Sequence, residues 1–162
     1  MVKYADGPTT EVEIHIEASP EVVWPLLCDI NAPAAFSEEF QGAEWLDDGP
    51  ALGATFQGRN KHEFVGEWSV TCTVTAFEER RVFEWMVGDV DHPAAKWRFD
   101  LEPDGDGSRL RFNSRIGPGR SGLTPAIERM PDREDDIVAR RMSEHNANMQ
   151  RTVEGYKALA ES

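Results

Sequence analysis

The sequence has little cysteine: two residues, Cys28 and Cys72, in a chain of 162. One possible pair is too few for a disulfide-stapled scaffold, and both sit among apolar neighbours, so they read as buried free thiols. Long apolar runs are missing too. No stretch approaches the roughly 18 residues of a membrane-spanning helix, and the first ten residues lack the apolar core of a secretory signal. The expectation is a soluble, cytoplasmic protein with no membrane insertion. Positive charge is also scarce, with 17 Lys and Arg against 30 Asp and Glu, a formal net charge of -13. That excludes a general nucleic-acid binder, which needs a basic surface for phosphate, and docking on anionic lipid. The four histidines are scattered without ligand-like spacing. His62-Glu63 opens like a zinc-protease motif, but Gly66 stands where the second histidine belongs. Asp104-Gly105-Asp106-Gly107 begins like a calcium loop without its closing glutamate. No serine or cysteine has a nucleophile's surroundings. Neither a metal site nor a cofactor is expected.

What the chain does have is an apolar fraction of 40%, with five Trp and eight Phe. That suits a packed globule, and the length suits a single domain over residues 1–162. Charge is unevenly spread. Residues 1–50 hold eleven acidic side chains and one lysine, Lys3, whereas the stretch from Arg109 to Arg151 holds nine arginines and six acids.

Periodicity orders the elements. Val12, Ile14 and Ile16 alternate with charged residues as a half-buried strand, with His15 on its polar side. Ser19-Pro20-Glu21 starts a helix to about Asp29 that buries Val22, Val23, Leu26 and Leu27, with Pro25 shortening or kinking it. A second short helix is predicted from about Pro33 to Glu39. Strands follow at Ala43–Leu46, Thr55–Lys61, Glu67–Phe77, Arg81–Val87, Ala95–Glu102 and Arg109–Ile116. Their apolar sides carry Phe56, then Trp68, Val70, Cys72, Val74 and Ala76, then Phe83 and Trp85, then Trp97 and Phe99, then Phe112 and Ser114. Residues 117–132 read as a loop with a short helix near Ala126–Met130. One long helix then runs from about Arg133 to Ala160, with Val138, Met142, His145, Met149, Val153 and Tyr156 in one stripe. Consecutive strands joined by short turns pair antiparallel, and only the last helix is long enough to cover the sheet.

These residues resemble a known family. Val12-x-Ile14-x-Ile16-x-Ala18-Ser19-Pro20-x-x-Val23-Trp24, the Asp29-Ile30 after the first helix, Gly53-x-x-Phe56-x-Gly58, Thr73-Val74-Thr75, Trp85, Trp97-x-Phe99-x-Leu101-Glu102 and Gly107-Ser108-Arg109-Leu110 are similar to the START-like superfamily (SRPBCC, Bet v 1-like), in its bacterial polyketide cyclase/dehydrase branch. The resemblance spans essentially the whole chain. It implies an α+β helix-grip fold: a seven-stranded curved antiparallel sheet wrapped around a long C-terminal helix, with two short helices after the first strand. It also implies an apolar cavity between sheet and helix. The inward aromatic faces lead to the same picture.

The expected lining of that cavity is Phe56, Trp68, Val70, Phe83, Trp85, Trp97, Phe99, Phe112, Ser114, Met142 and Met149. His145 in the helix stripe, with Asn60 and His62 on the face of Phe56 and Gly58, are the candidate catalytic groups. The alternatives are a structural His145 at the core edge and a His62 exposed beyond its strand. Arg98 and Arg115 fall on outward faces, and Arg140 and Arg141 flank the stripe, solvated or paired with Glu144. Gly117-Pro118-Gly119-Arg120-Ser121-Gly122 matches GxGxxG in form, but no second parallel strand follows it, so it reads as a loop at the cavity mouth. Three functions compete: binding of a small hydrophobic ligand (polyketide, lipid or aromatic metabolite), a polyketide cyclase/dehydrase using cavity His, Asn or Arg groups, and a protein-interaction or chaperone-regulator module docking through the acidic first third. The partner expected is a small apolar ligand, and the assembly a monomer or homodimer.

Overall fold

Alternation along the chain becomes one antiparallel sheet in the computed structural model, which describes residues 2–162. Its strands are β1 (Thr9–Ile16), β2 (Phe40–Trp45), β3 (Thr55–His62), β4 (Gly66–Glu78), β5 (Val82–Val87), β6 (Ala95–Asp104) and β7 (Gly107–Ile116). The seven lie in the order β1-β7-β6-β5-β4-β3-β2. Strands β2 to β7 follow one another as a meander, and β1 joins the far edge beside β7. The register sets aromatic rings opposite each other on the concave face: Trp85 faces Trp97, Phe83 faces Phe99 and Phe99 faces Phe112. On the outer face Arg98 bonds Glu84 at 3.1 Å and Asp100 at 2.9 Å, as alternation predicts. His15 sits there between Asp104 and Glu17.

One bulge changes which side chains face inward. Val74 pairs with Trp85, but the next pair is Ala76 with Glu84, leaving Thr75 as the extra residue. The extra residue reverses the alternation beyond it. Ala76 therefore shares register with outward Glu84, contrary to the sequence expectation, and Phe77 takes the inward place opposite Phe83. Phe77 meets the Trp24 ring at 5.5 Å, and the Thr75 hydroxyl donates to Glu84 at 2.9 Å.

The two edges are bridged by α1 (Pro20–Cys28) and a 3-10 turn at Ala32–Ala35. The buried side of α1 is Val23, Trp24 and Leu27. Val22, expected inside, is 49% exposed because Trp24 occupies the sheet-facing position. The Ser19 hydroxyl makes no capping bond; its carbonyl accepts from the N–H groups of Val22 and Val23 instead. Pro25 lies within the nine-residue helix without breaking it. The predicted second helix stops early because the Ser37 hydroxyl accepts from the N–H groups of Glu39 and Phe40, turning the chain into β2.

After β7 come α2 (Thr124–Arg129) and α3 (Glu134–Glu161). Helix α3 buries Val138, His145, Met149, Thr152, Val153 and Tyr156 along one side. Acids at its start tie down the N-terminal segment: Glu134 accepts from the Tyr4 N–H at 2.8 Å and Asp135 from the Val2 N–H at 3.1 Å. Near its end, Gly155 lies so close to the Phe36 ring that a Cβ there would overlap it. Among the described residues no helix is long and apolar enough to cross a membrane.

Candidate functional site

A cavity of about 630 Å³ separates the concave sheet from α3. Phe56, Trp68, Val70, Phe83, Trp85, Trp97, Phe99 and Phe112 line it from the strands, and Met149 from α3. The rings brace one another along the sheet. Trp85 lies 6.0, 5.4 and 5.8 Å from Phe56, Phe83 and Phe99, and Phe99 stacks on Phe112 at 4.1 Å. Such edge-to-face and stacked contacts hold the rings to the sheet. Opposite them α3 presents Arg141, Glu144, His145, Asn148 and Thr152, polar groups that cannot pack densely on aromatic carbon without losing hydration. The space between stays open.

Two expected lining residues lie elsewhere. Met142 packs with Tyr4, Ile116 and Val138, because this part of α3 rests on the loop after β7 rather than over the hollow of the sheet. Ser114 is wholly buried beneath His145, and its hydroxyl is hydrogen-bonded to Nδ1 of that histidine at 3.2 Å.

The three candidate polar residues Asn60, His62 and His145 all reach the cavity wall. His145 is 6% exposed, with its ring 4.9 Å from Trp97. Burial, reinforced by the positive charge of Arg141, pushes its pKa down to about 3, so it is neutral at physiological pH. β3 continues through His62, which keeps that ring on the face of Phe56 and Gly58. Its Nδ1 accepts the Phe64 N–H at 3.1 Å, which leaves Nε2 to carry the proton donated to Glu144 at 3.1 Å. Both ring nitrogens are thus engaged, and His62 orients Glu144. Asn60, two residues before His62 on β3, lines the cavity beside Gly58 and Phe56 on the same face of the strand.

The centre of the polar wall is Arg141, which the sequence placed beside the stripe. It is bidentate to Glu39 and bonds Glu144 at 3.1 Å. Burial alone would lower its pKa, yet the two carboxylates outweigh that and raise it. Burial likewise favours a protonated Glu144, but hydrogen bonds from His62 and Arg141 overcome it and hold the carboxylate below its usual range. The sequence signal for this wall was a second helical row, Arg141, Glu144, Asn148 and Thr152, at spacings of three and four beside the apolar one. Glu39, in the bend just before β2, had no such signal.

Val65 at the tip of the β3–β4 hairpin and Arg120, Ser121, Gly122 and Leu123 in the loop after β7 complete the lining. Gly117 turns that loop at φ +71, and its N–H binds the Ala94 carbonyl at 2.7 Å. The Gly119 N–H binds the Pro93 carbonyl at 2.7 Å. With the Ser121 N–H donated to the Thr124 hydroxyl at 2.9 Å, three backbone donors of this GxGxxG-like run are committed to the fold. Cys72 and Cys28 are free thiols, and burial pushes them up to about 12 and 11. Among the described residues no group of three His, Cys, Asp or Glu side chains is placed to hold a metal ion.

The sequence profile of the family described as "Polyketide cyclase / dehydrase and lipid transport" matches residues 8–159. A search of curated protein sequences gave no match. Among solved structures, a polyketide-cyclase-like protein from Corynebacterium glutamicum is 27% identical, with a TM-score of 0.66 over 93% of this chain and 90% of its own. Ara h 8.0201 is 13% identical, with a TM-score of 0.61 over 94% and 97%. The di-domain ARO/CYC protein BexL from the BE-7585A biosynthetic pathway is 10% identical, with a TM-score of 0.73 over 98% of this chain and 51% of its own. The last two share the fold alone. With a profile match running from the start of the first strand to the end of the last helix, the chain belongs to the polyketide cyclase/dehydrase and lipid transport family.

Proposed function

We propose that the protein binds a small, mainly apolar molecule, such as a polyketide, lipid or aromatic metabolite, in the cavity between the sheet and α3. The observation that carries this reading is the cavity itself: about 630 Å³, walled on the sheet side by interlocked aromatic rings and on the helix side by a few fixed polar groups. Sites for small ligands have this character, with apolar walls for affinity and sparse polar groups for orientation. In this reading Trp68, Trp85, Trp97 and Phe112 contact the ligand body, and Asn60 and His145 face its oxygen atoms. The test combines native mass spectrometry of the purified protein with titration of its tryptophan fluorescence by the neutral dye Nile red. A retained or titrating apolar molecule is expected, and Val70→Trp, which fills part of the cavity, should weaken dye binding. Saturable binding that survives unchanged in Val70→Trp would place the ligand elsewhere and refute the reading.

A second reading, cyclase/dehydrase catalysis on a poly-β-keto chain, is favoured by the neutral His145 imidazole and the Asn60 amide on the wall of one cavity. These two would polarise a ketone oxygen by hydrogen bonding, while the walls hold the chain folded. A His145 pKa near 3 is too far below operating pH for efficient general-base work, so His145 serves this reading as a hydrogen-bonding group and His62 as the residue that orients Glu144. Turnover of a poly-β-keto thioester, lost in a His145→Phe, Asn60→Ala double variant that remains folded, is the expected result. Undiminished turnover refutes these assignments.

A further inference from the structure

The polar wall of the cavity does not balance its own charge. The charged residues of the lining are Asp29, Glu39, Arg120, Arg141 and Glu144. Arg120 is bidentate at 3.0 Å to Glu128, which is not part of the lining. Arg141 alone therefore faces Glu39 and Glu144. His62 adds no charge to this group, because its Nδ1 accepts the Phe64 N–H and its Nε2 donates to Glu144. One guanidinium against two carboxylates leaves the group with an excess of one negative charge.

That excess is open to the cavity at Glu144. Both oxygens of Glu39 are taken by Arg141, and its side chain is 12% exposed. The Glu144 side chain is 31% exposed. Its Oε1 accepts from Arg141 at 3.1 Å and its Oε2 from His62 at 3.1 Å, two of the roughly four acceptor positions of a carboxylate. Strand register sets what stands beside it. His62 pairs with Gly66, and the next pair on the same face is Asn60 with Trp68, about 7 Å further along the strand. Asn60 and Trp68 both line the cavity. An amide offers an acceptor oxygen, and the face of an indole attracts a cation. A carboxylate, an amide and an indole, the three kinds of group that hold an ammonium ion, thus follow one another along this corner. A ligand anion would meet only guanidinium groups already paired with carboxylates.

We propose that the cavity takes a ligand carrying a protonated amine on an apolar body, with the ammonium group in the corner of Glu144, Asn60 and Trp68 and the body against the aromatic wall. This rests on the ligand-binding reading above and specifies its ligand class. The ammonium neutralises the excess charge of the Arg141 group and donates to the acceptor positions that Arg141 and His62 leave on Glu144.

The experiment is displacement of bound Nile red at pH 7.5 by three ten-carbon probes: decylamine, 1-decanol and decanoate. About 0.3 M NaCl screens attraction to the net charge of -13. Decylamine should bind at least about tenfold more tightly than decanol, and decanoate most weakly. Glu144→Gln removes the excess charge and should weaken decylamine about tenfold, the size of one charge-assisted hydrogen bond, with less than about a twofold change for decanol. Glu39→Gln removes the same charge from the group and serves if Glu144→Gln does not fold. Asp106→Asn, in the exposed turn between β6 and β7, removes one charge from the surface and should change neither affinity. Equal affinity for amine and alcohol, an unchanged amine affinity in Glu144→Gln, or an equal loss in Asp106→Asn would overturn the inference while leaving ligand binding intact. If none of the probes displaces the dye, the ligand-binding reading falls and this inference with it.

Discussion

Lowering the pH from 7.5 to 5.0 should protonate His145 in the unfolded chain but not in the folded protein. The ordinary imidazole pKa is about 6.5, whereas burial against Trp97 and the neighbouring Arg141 charge hold His145 at about 3. The folded pKa is depressed, so between those two values the unfolded state binds more protons. The stabilising contribution is fully present above about pH 6.5 and is lost as the pH falls towards 3, by at most about 1.4 kcal/mol per unit. From pH 6.5 to 5.0 the loss is about 2 kcal/mol. With a urea dependence of about 2 kcal/mol per molar for a chain of this size, the unfolding midpoint should fall by about 1 M from this residue alone. Other groups titrate over the same range, so the assay compares the parent with His145→Gln, in which those groups remain. The parent midpoint should fall about 1 M further than that of the variant. Parallel decreases would refute the argument by showing that cavity water solvates the imidazolium and restores a normal pKa.

Two further predictions concern the helix. Arg141→Met leaves Glu39 and Glu144 facing each other in a half-buried wall and should cost about 2–4 kcal/mol; Arg141→Lys should recover part of it, since an ammonium cannot reproduce the bidentate contact. Thermal unfolding of both variants checks this, and an unchanged midpoint for Arg141→Met would show the cluster to be energetically idle. Gly155→Ala would ordinarily stabilise a helix interior by up to about 1 kcal/mol, but its Cβ overlaps the Phe36 ring, so a net loss of about 1–3 kcal/mol is expected. In a Phe36→Ala background the same substitution should become stabilising, and stabilisation by Gly155→Ala alone would contradict the close packing.

The alkyl and aromatic side chains of β5, β6 and β7 were legible because their alternation is local, and a strand repeats every two residues wherever it sits. Phe83, Trp85, Trp97, Phe99 and Phe112 accordingly lie on the cavity wall, and the α3 stripe from Val138 to Tyr156 is buried apart from half-buried Met142. The same locality limits what periodicity says. It cannot show the extra residue at Thr75, which exchanges Ala76 for Phe77, because a bulge is a property of two paired strands. Nor can it separate an arginine at the flank of a helix from one in the wall of a chamber. Arg141 became part of the wall only when α3 crossed the sheet and β2 brought Glu39 to meet it. Likewise the sequence placed Tyr156 in an apolar stripe, and the tertiary packing buried its hydroxyl without a hydrogen-bond partner among the described residues. The sequence by itself determined the elements, their order and their apolar faces, since these follow from short-range stereochemistry and hydrophobic spacing. The tertiary structure decided which polar groups converge in the space between those faces, because that depends on contacts between residues far apart in the chain.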